Sequence, residues 1–197
     1  MKIGVDIDGV LTNIEQYELD VGSKFFYKES KKIVNRAGYD IKDIFNVSKE
    51  EDNRFWNRYL FYYAKNEPTR KFAAEIINKL REYGAEIYII TARSYTIEDS
   101  KEGKKMRKIV RKWLKKNHIL YDKLIFSPDN KKEICIKNKI NVMIEDNPKT
   151  IVPLSEIMPV IAFDAEYNRM CFNQNIYRVY TWYEVYETIK QLKLKKL

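Results

Sequence analysis

The sequence predicts an α/β fold: a doubly wound parallel sheet with a small helical cap inserted after the first strand. Three observations predict it. Short apolar runs at 3–7, 85–90, 123–126, 142–144 and 159–163 read as buried strands. Helical patterns at 70–83, 102–117, 131–138 and 149–157 alternate with those runs across short connections. That alternation implies parallel strands covered on both faces. Finally, the stretch from Leu11 to Pro68 is too long for an ordinary strand-to-helix connection.

The first run, Ile3-Gly4-Val5-Asp6-Ile7-Asp8-Gly9, places two carboxylates at the end of an apolar segment. Side chains alternate along a strand, so Asp6 and Asp8 are expected on one side. Gly9 then lets the chain turn away sharply. Two carboxylates held together repel unless a cation lies between them, and a hard divalent ion with oxygen ligands, Mg²⁺, resolves the repulsion most simply. A lone Asp-x-Asp-Gly reads mostly as a solvated turn.

Within the inserted stretch, 14–26 and 50–64 have helical patterns, and the polar run around Gly38 separates them. The segment is rich in aromatic residues, among them Phe25, Phe26, Phe55, Trp56 and Tyr59. Residues 1–11 and 69–197 then form the core and 12–68 the cap. Further along, 87–91 is a strand ending in the hydroxyl of Thr91, followed by Ala92 and Arg93. Asp129-Asn130-Lys131-Lys132 sets a lysine pair at a helix start, where the helix dipole disfavours cations. The 142–144 strand ends in a second acidic pair, Glu145-Asp146. In parallel α/β sheets ligands bind at strand C-termini near a switch in strand order, and Asp8, Thr91 and Asp146 all fall there. The tail carries Tyr177-Arg178-Val179-Tyr180, then a helix from about Trp182 with Thr181 as its cap, and fraying is expected from Lys190 to Leu197.

Composition narrows the chemistry. The chain has 197 residues, 45% hydrophobic and 33% charged, as in ordinary soluble enzymes. No apolar run is long enough to span a bilayer, and the start lacks the pattern of a signal peptide, so the expected location is the cytoplasm. His118 is the single histidine and Cys135 and Cys171 the only cysteines, each among apolar neighbours. A histidine triad or a zinc site therefore has no support. The net charge of +9 admits a nucleic-acid partner. The densest basic run, 101–116, also has Met106, Ile109, Val110, Trp113 and Leu114 at helical spacing, so a solvated helix face explains it better.

The ordered set Asp6-x-Asp8, Thr91, Lys131 and Glu145-Asp146 resembles the haloacid dehalogenase superfamily of phosphotransferases, over nearly the whole chain. Asp6 to Asn13, Glu145 to Pro148 and the tail with Tyr167-Asn168 and Trp182 are similar to its 5′-(deoxyribo)nucleotidase-like branch. The resemblance implies a Rossmann-like core and a Mg²⁺-dependent phosphomonoesterase. Asp6 would be the nucleophile that forms an aspartyl-phosphate, and Asp8 the proton shuttle. Mg²⁺ would be held by Asp6, the backbone carbonyl of Asp8, and Asp146. Glu145, where many relatives have Asp, is a ligand, a water-mediated partner or a carboxylate that holds Lys131. Thr91 and the N–H of Ala92 would bind the phosphate together with Lys131, to which Lys132 is the rival. Arg93 would touch substrate or cap, or else pair with an acid at the surface. Phe55, Trp56 and Tyr59 would meet a nucleobase, or else form the core of the cap. The implied substrate is a small phosphorylated molecule, a nucleotide first. The alternatives are a sugar phosphate, a polynucleotide end, or a non-enzymatic basic protein that binds nucleic acid on this scaffold.

Overall fold

The computed structural model describes residues 1–128 and 130–194. Strand β1 (Lys2–Val5) leads into three helices, α1 (Ile14–Phe26), α2 (Ile41–Phe45) and α3 (Lys49–Asn66). Helix α4 (Ala73–Glu82), β2 (Glu86–Thr91), α5 (Lys101–Lys116) and β3 (Lys123–Phe126) follow. Then come α6 (Lys132–Asn138), β4 (Val142–Glu145), α7 (Pro148–Ser155), β5 (Val160–Phe163), β6 (Ile176–Val179) and α8 (Trp182–Leu194).

The six strands form one sheet in the order β3-β2-β1-β4-β5-β6, and every pairing is parallel. The order reverses beside β1, between β2 and β4, so the loops after those three strands meet at one edge of the sheet. Alternation along the strands divides the core in two. Ile3, Val5, Ile87, Ile89, Val142, Ile144, Ile161 and Phe163 face the buried stripes of α4, α5 and α8. Ile90, Met143, Val160 and Ala162 face the other way, onto Cys135 of α6 and Ile151 and Leu154 of α7. Each such Val, Leu, Ile, Phe or Met side chain, taken from water to full burial, contributes about 1.5–3 kcal/mol.

Three local differences from the sequence reading have physical causes. Strand β1 stops at Val5 because the chain coils at Ile7, whose carbonyl accepts from the N–H groups of both Leu11 and Thr12. Asp6 and Asp8 therefore lie in the loop beyond the strand, although Asp6 still makes a bond to the sheet through its N–H to Ile144 O at 3.1 Å. The tail adds a strand, β6, at the edge of the sheet. Helix α8 runs through Leu194, with Thr181 Oγ1 accepting from the Glu184 N–H at 3.2 Å, and of the expected frayed end residues 195–197 lie outside the described residues. Asp129 also lies outside them.

Helices α1, α2 and α3 have an apolar cluster of their own, built from Tyr17, Leu19, Phe26, Ile41, Ile44, Phe45, Phe55 and Tyr63. Asn13 caps α1, and Ser48 with Glu51 forms a reciprocal capping box on α3. The chain returns to the core where the Trp113 indole N–H donates to Glu67 O at 2.7 Å. Among the described residues no helix is long and apolar enough to cross a membrane.

Candidate active site

Three loops converge where the strand order reverses. The loop after β1 carries Asp6, Asp8 and Gly9, the end of β2 carries Thr91, Ala92 and Arg93, and the loop after β4 carries Asp146. Lys131 stands at the N-terminal edge of α6. The packed sheet fixes these backbone origins, so side chains far apart in sequence meet with little freedom.

Asp6, Glu145 and Asp146 are buried, and each has a carboxylate oxygen within 4.8 Å of the others. Lys131, only 3% exposed, reaches into them. Its Nζ lies 2.8 Å from Asp6 Oδ1 and donates to both Glu145 oxygens at 3.2 and 3.3 Å. Tyr167 donates its hydroxyl to Asp146 Oδ2, and Asn168 Nδ2 donates to the Asp146 carbonyl at 2.8 Å. Among the described residues Asp146 Oδ1 has no hydrogen-bond partner.

The electrostatics of this cluster are unbalanced. Burial raises the Asp6 carboxyl above its ordinary value, against the pull of Lys131. Burial also raises Glu145 well above its own. Burial, then the Asp6 charge beside it, pushes Asp146 up to about 7. Burial alone would lower the Lys131 ammonium, but the Asp6 and Glu145 charges outweigh it and hold it above the usual lysine value. Three acids thus share one lysine. An all-oxygen donor set with an orphaned, buried carboxylate oxygen fits a hard divalent cation, set among Asp6, Glu145 and Asp146 rather than between the Asp6 and Asp8 side chains.

Gly9 makes the approach possible. Its φ of +81° lies in the left-handed region, and a Cβ built there would overlap the Asp146 carboxylate. Gly9→Ala is expected to weaken divalent-cation affinity by more than tenfold and to destabilise the chain by about 1–3 kcal/mol. Isothermal calorimetry with Mg²⁺ and thermal melting would check both.

Asp8 is held separately. Arg93 is buried and grips the Asp8 carboxylate with two donors, Nε at 3.0 Å and Nη2. The guanidinium also lies over the Tyr63 ring at 5.3 Å. Tyr63 in turn shares a 2.7 Å hydrogen bond with Thr12. Arg93 is therefore a buried clamp, not the surface arginine of one sequence reading.

A cavity of about 460 Å³ opens on this cluster, bounded on the core side by Asp6, Asp8, Ala92, Arg93 and Lys131. Thr91 is fully buried behind it, with its Oγ1 accepting from the Arg93 N–H at 3.2 Å. A hydroxyl that accepts one bond can still donate another. The two candidate lysines separate cleanly, because Lys132 turns to the surface and pairs with Glu156 at 3.1 Å.

Of the three aromatic candidates only Trp56 lines the cavity, with Leu60 and Tyr63 from the same helix. Phe55 is fully buried and packs with Tyr59 against Phe25, so it cannot meet a ligand. Tyr59 sits on that same packed stripe. Sequence reading missed Tyr39, which packs edge-on against Tyr167 at 5.1 Å and lines the cavity, and missed Asp40 and Lys49 beside it. Their only sequence signal was their place in the long insertion.

Comparison with known proteins decides the family. A family model described as 5′ nucleotidase, deoxy (pyrimidine), cytosolic type C protein matches residues 1–197. The chain belongs to this nucleotidase family. Nucleotidase CA_C3379 of Clostridium acetobutylicum is 31% identical over 194 residues, covering 98% of this chain and 95% of that protein. Among solved structures, a haloacid dehalogenase superfamily hydrolase from Geobacter sulfurreducens matches with a TM-score of 0.58 at 12% identity, over 97% of this chain and 95% of the other. A β-phosphoglucomutase from Clostridium difficile matches with a TM-score of 0.60 at 16% identity, over 99% and 97%. At these identities the two structures establish the haloacid dehalogenase fold alone. Family and fold together make the protein a phosphatase, which sets aside a non-enzymatic nucleic-acid binder on this scaffold.

Proposed function

We propose that the protein is a Mg²⁺-dependent 5′-nucleotidase that releases phosphate through a covalent intermediate on Asp6. The observation that carries this reading is the buried trio Asp6, Glu145 and Asp146 around Lys131, with Asp8 clamped beside it at the mouth of a cavity. A carboxylate oxygen of Asp6 attacks the phosphorus, and the bond to the nucleoside oxygen breaks. Asp8 gives that oxygen its proton. A water then attacks the phosphorus of the Asp6 acyl phosphate while Asp8 takes up the water's proton, the bond from phosphorus to the Asp6 oxygen breaks, inorganic phosphate leaves and Asp6 is restored. For Asp8 to carry a proton, the Arg93 clamp must loosen. The phosphate of the substrate is a competing acceptor for that guanidinium.

Lys131, the Thr91 hydroxyl and the Ala92 N–H hold the phosphate oxygens. Asp6, Asp146 and the Asp8 carbonyl would hold the Mg²⁺, with Glu145 as a further ligand or as the group that fixes Lys131. When bound, the ion neutralises charge on the cluster and on the phosphate. Residues 12–68 act as a lid over the strand ends and exclude water from the transfer.

Phosphate release from nucleoside monophosphates, sugar phosphates and 3′-phosphorylated oligonucleotides tests the reading. A chelator is expected to lower activity at least about 100-fold, and added Mg²⁺ to restore it while raising the melting temperature. Full activity after exhaustive chelation would refute the metal assignment, and a preference for sugar phosphates or oligonucleotide ends would replace the substrate.

A further inference from the structure

Each of the three buried acids has at least one oxygen already engaged. Lys131 donates to both oxygens of Glu145 and lies 2.8 Å from Oδ1 of Asp6. The Tyr167 hydroxyl takes Oδ2 of Asp146, which leaves Oδ1 without a partner among the described residues. Asp146 therefore offers an ion one oxygen and not two. The two engagements differ in kind. Lys131 lines the cavity and is the group that meets the phosphate, so its hold on Glu145 and Asp6 changes when substrate arrives. Tyr167 is not among the residues that line the cavity, so its hold on Asp146 persists with or without substrate.

The place of Tyr167 is fixed from two sides. Its neighbour Asn168 is fully buried, and Nδ2 donates to the carbonyls of Asp146 and Phe163, each at 2.8 Å. Arg178 of β6 in turn donates to Asn168 Oδ1 at 2.6 Å and to the Asn168 carbonyl at 2.9 Å. From the helical insertion, Tyr39 packs edge-on against the Tyr167 ring, with the two planes 87° apart. Core and insertion together therefore hold the phenol against the carboxylate. A hydrogen bond from a hydroxyl to an ionised carboxylate is among the strong ones. Partners that orient a ligating carboxylate tune the ion it takes.

We propose, on the Mg²⁺ reading above, that Tyr167 sets the cation preference of the site, for Mg²⁺ over Ca²⁺, by keeping Asp146 a one-oxygen ligand. Mg²⁺ is small, demands a near-ideal octahedron and keeps several waters beside a few carboxylates. Ca²⁺ is larger, gathers about six to eight oxygens and readily takes both oxygens of one carboxylate. With Oδ2 committed to the phenol, Asp146 cannot chelate through both oxygens unless it gives up that bond. The cost falls on Ca²⁺, while Mg²⁺ finds Oδ1 already turned out and free. Tyr167 thus acts through Asp146 as a positioning residue and touches neither ion nor substrate.

Calorimetry with Mg²⁺ and with Ca²⁺, on the wild type and on Tyr167→Phe without substrate, tests this. The variant keeps the ring against Tyr39 and removes only the hydroxyl. Its ratio of Mg²⁺ to Ca²⁺ affinity is expected to fall about tenfold or more, within the range that orienting partners of metal ligands command. Mg²⁺ affinity should drop while Ca²⁺ affinity holds or rises. An unchanged ratio, whether both affinities hold or both fall together, would mark Tyr167 as a structural support and overturn the proposal. If chelation still abolished activity in that case, the Mg²⁺ reading would stand without it. Wild-type protein that bound neither cation at millimolar concentration would overturn both. Should Tyr167→Phe not fold, wild-type crystals soaked in Ca²⁺ decide. Asp146 bound through Oδ1 alone, with Tyr167 still on Oδ2, is the expected result, and a chelate through both oxygens would overturn the proposal.

Discussion

Replacing Asp6 with asparagine is expected to abolish phosphate release, by at least about 10⁴-fold in kcat, while the protein stays folded. Loss of a nucleophile carries penalties of that order, because the rest of the site can only position water. The fold should survive because the substitution keeps volume and removes charge from a place short of compensation. Asp6 is buried against Asp146 and Glu145, and burial already raises its carboxyl above the ordinary value. Lys131 keeps both Glu145 oxygens as partners when Asp6 is neutralised. A melting temperature at or above wild type, measured without metal, is the expected companion result. A folded Asp6→Asn protein with more than about a hundredth of wild-type activity would remove Asp6 from the nucleophile's role. It would leave the family assignment untouched, since that rests on the whole chain.

The same cluster shows how far sequence reasoning reaches. Apolar runs fix β1, β2, β4 and β5 because buried strands need nearly every residue apolar, and the edge strand β3 is legible through Leu124, Ile125 and Phe126. Strand β6 is harder to read, since it is an edge strand of four residues containing Arg178, whose guanidinium is spent on Asp164 and Asn168. Helix α2 is five residues long, too short for a periodic pattern. At the site, the acids and Lys131 were legible from local position. Their partners were not, because Arg93 meets Asp8 across 85 residues and Tyr167 meets Asp146 across 21.

The aromatic stripe of α3 exposes a different limit. Phe55 and Trp56 are neighbours in sequence but about 100° apart around the helix. Phe55 and Tyr59 therefore face Phe25, while Trp56, Leu60 and Tyr63 face the cavity. Composition marked the segment, and only the phase of the helix could tell lining from core.

The second large effect separates two adjacent lysines. Lys131→Met is expected to lower kcat at least about 10³-fold and to destabilise the chain by about 3–5 kcal/mol, the cost of removing one partner from a buried ion pair. Lys131 is the only cation that touches Asp6 and Glu145 among the described ion pairs, and both acids are buried. Without it their charges face each other and Asp146 unscreened. Lys132→Met should change stability by no more than about 0.5 kcal/mol, since its pair with Glu156 is at the surface. Divalent cation adds a discriminating arm. An ion bound between the acids would replace part of the lost positive charge, so Mg²⁺ should raise the melting temperature of Lys131→Met more than that of the wild type. Activity should not return with it, because the ion cannot occupy the lysine's place beside the phosphate. Urea and thermal melts of the two variants, each with and without Mg²⁺, measure the stability changes, and phosphate-release rates under the same conditions measure the kinetic ones. Equal stability losses at 131 and 132, or an unchanged rate in Lys131→Met, would break the link drawn between the buried ammonium and the chemistry of Asp6.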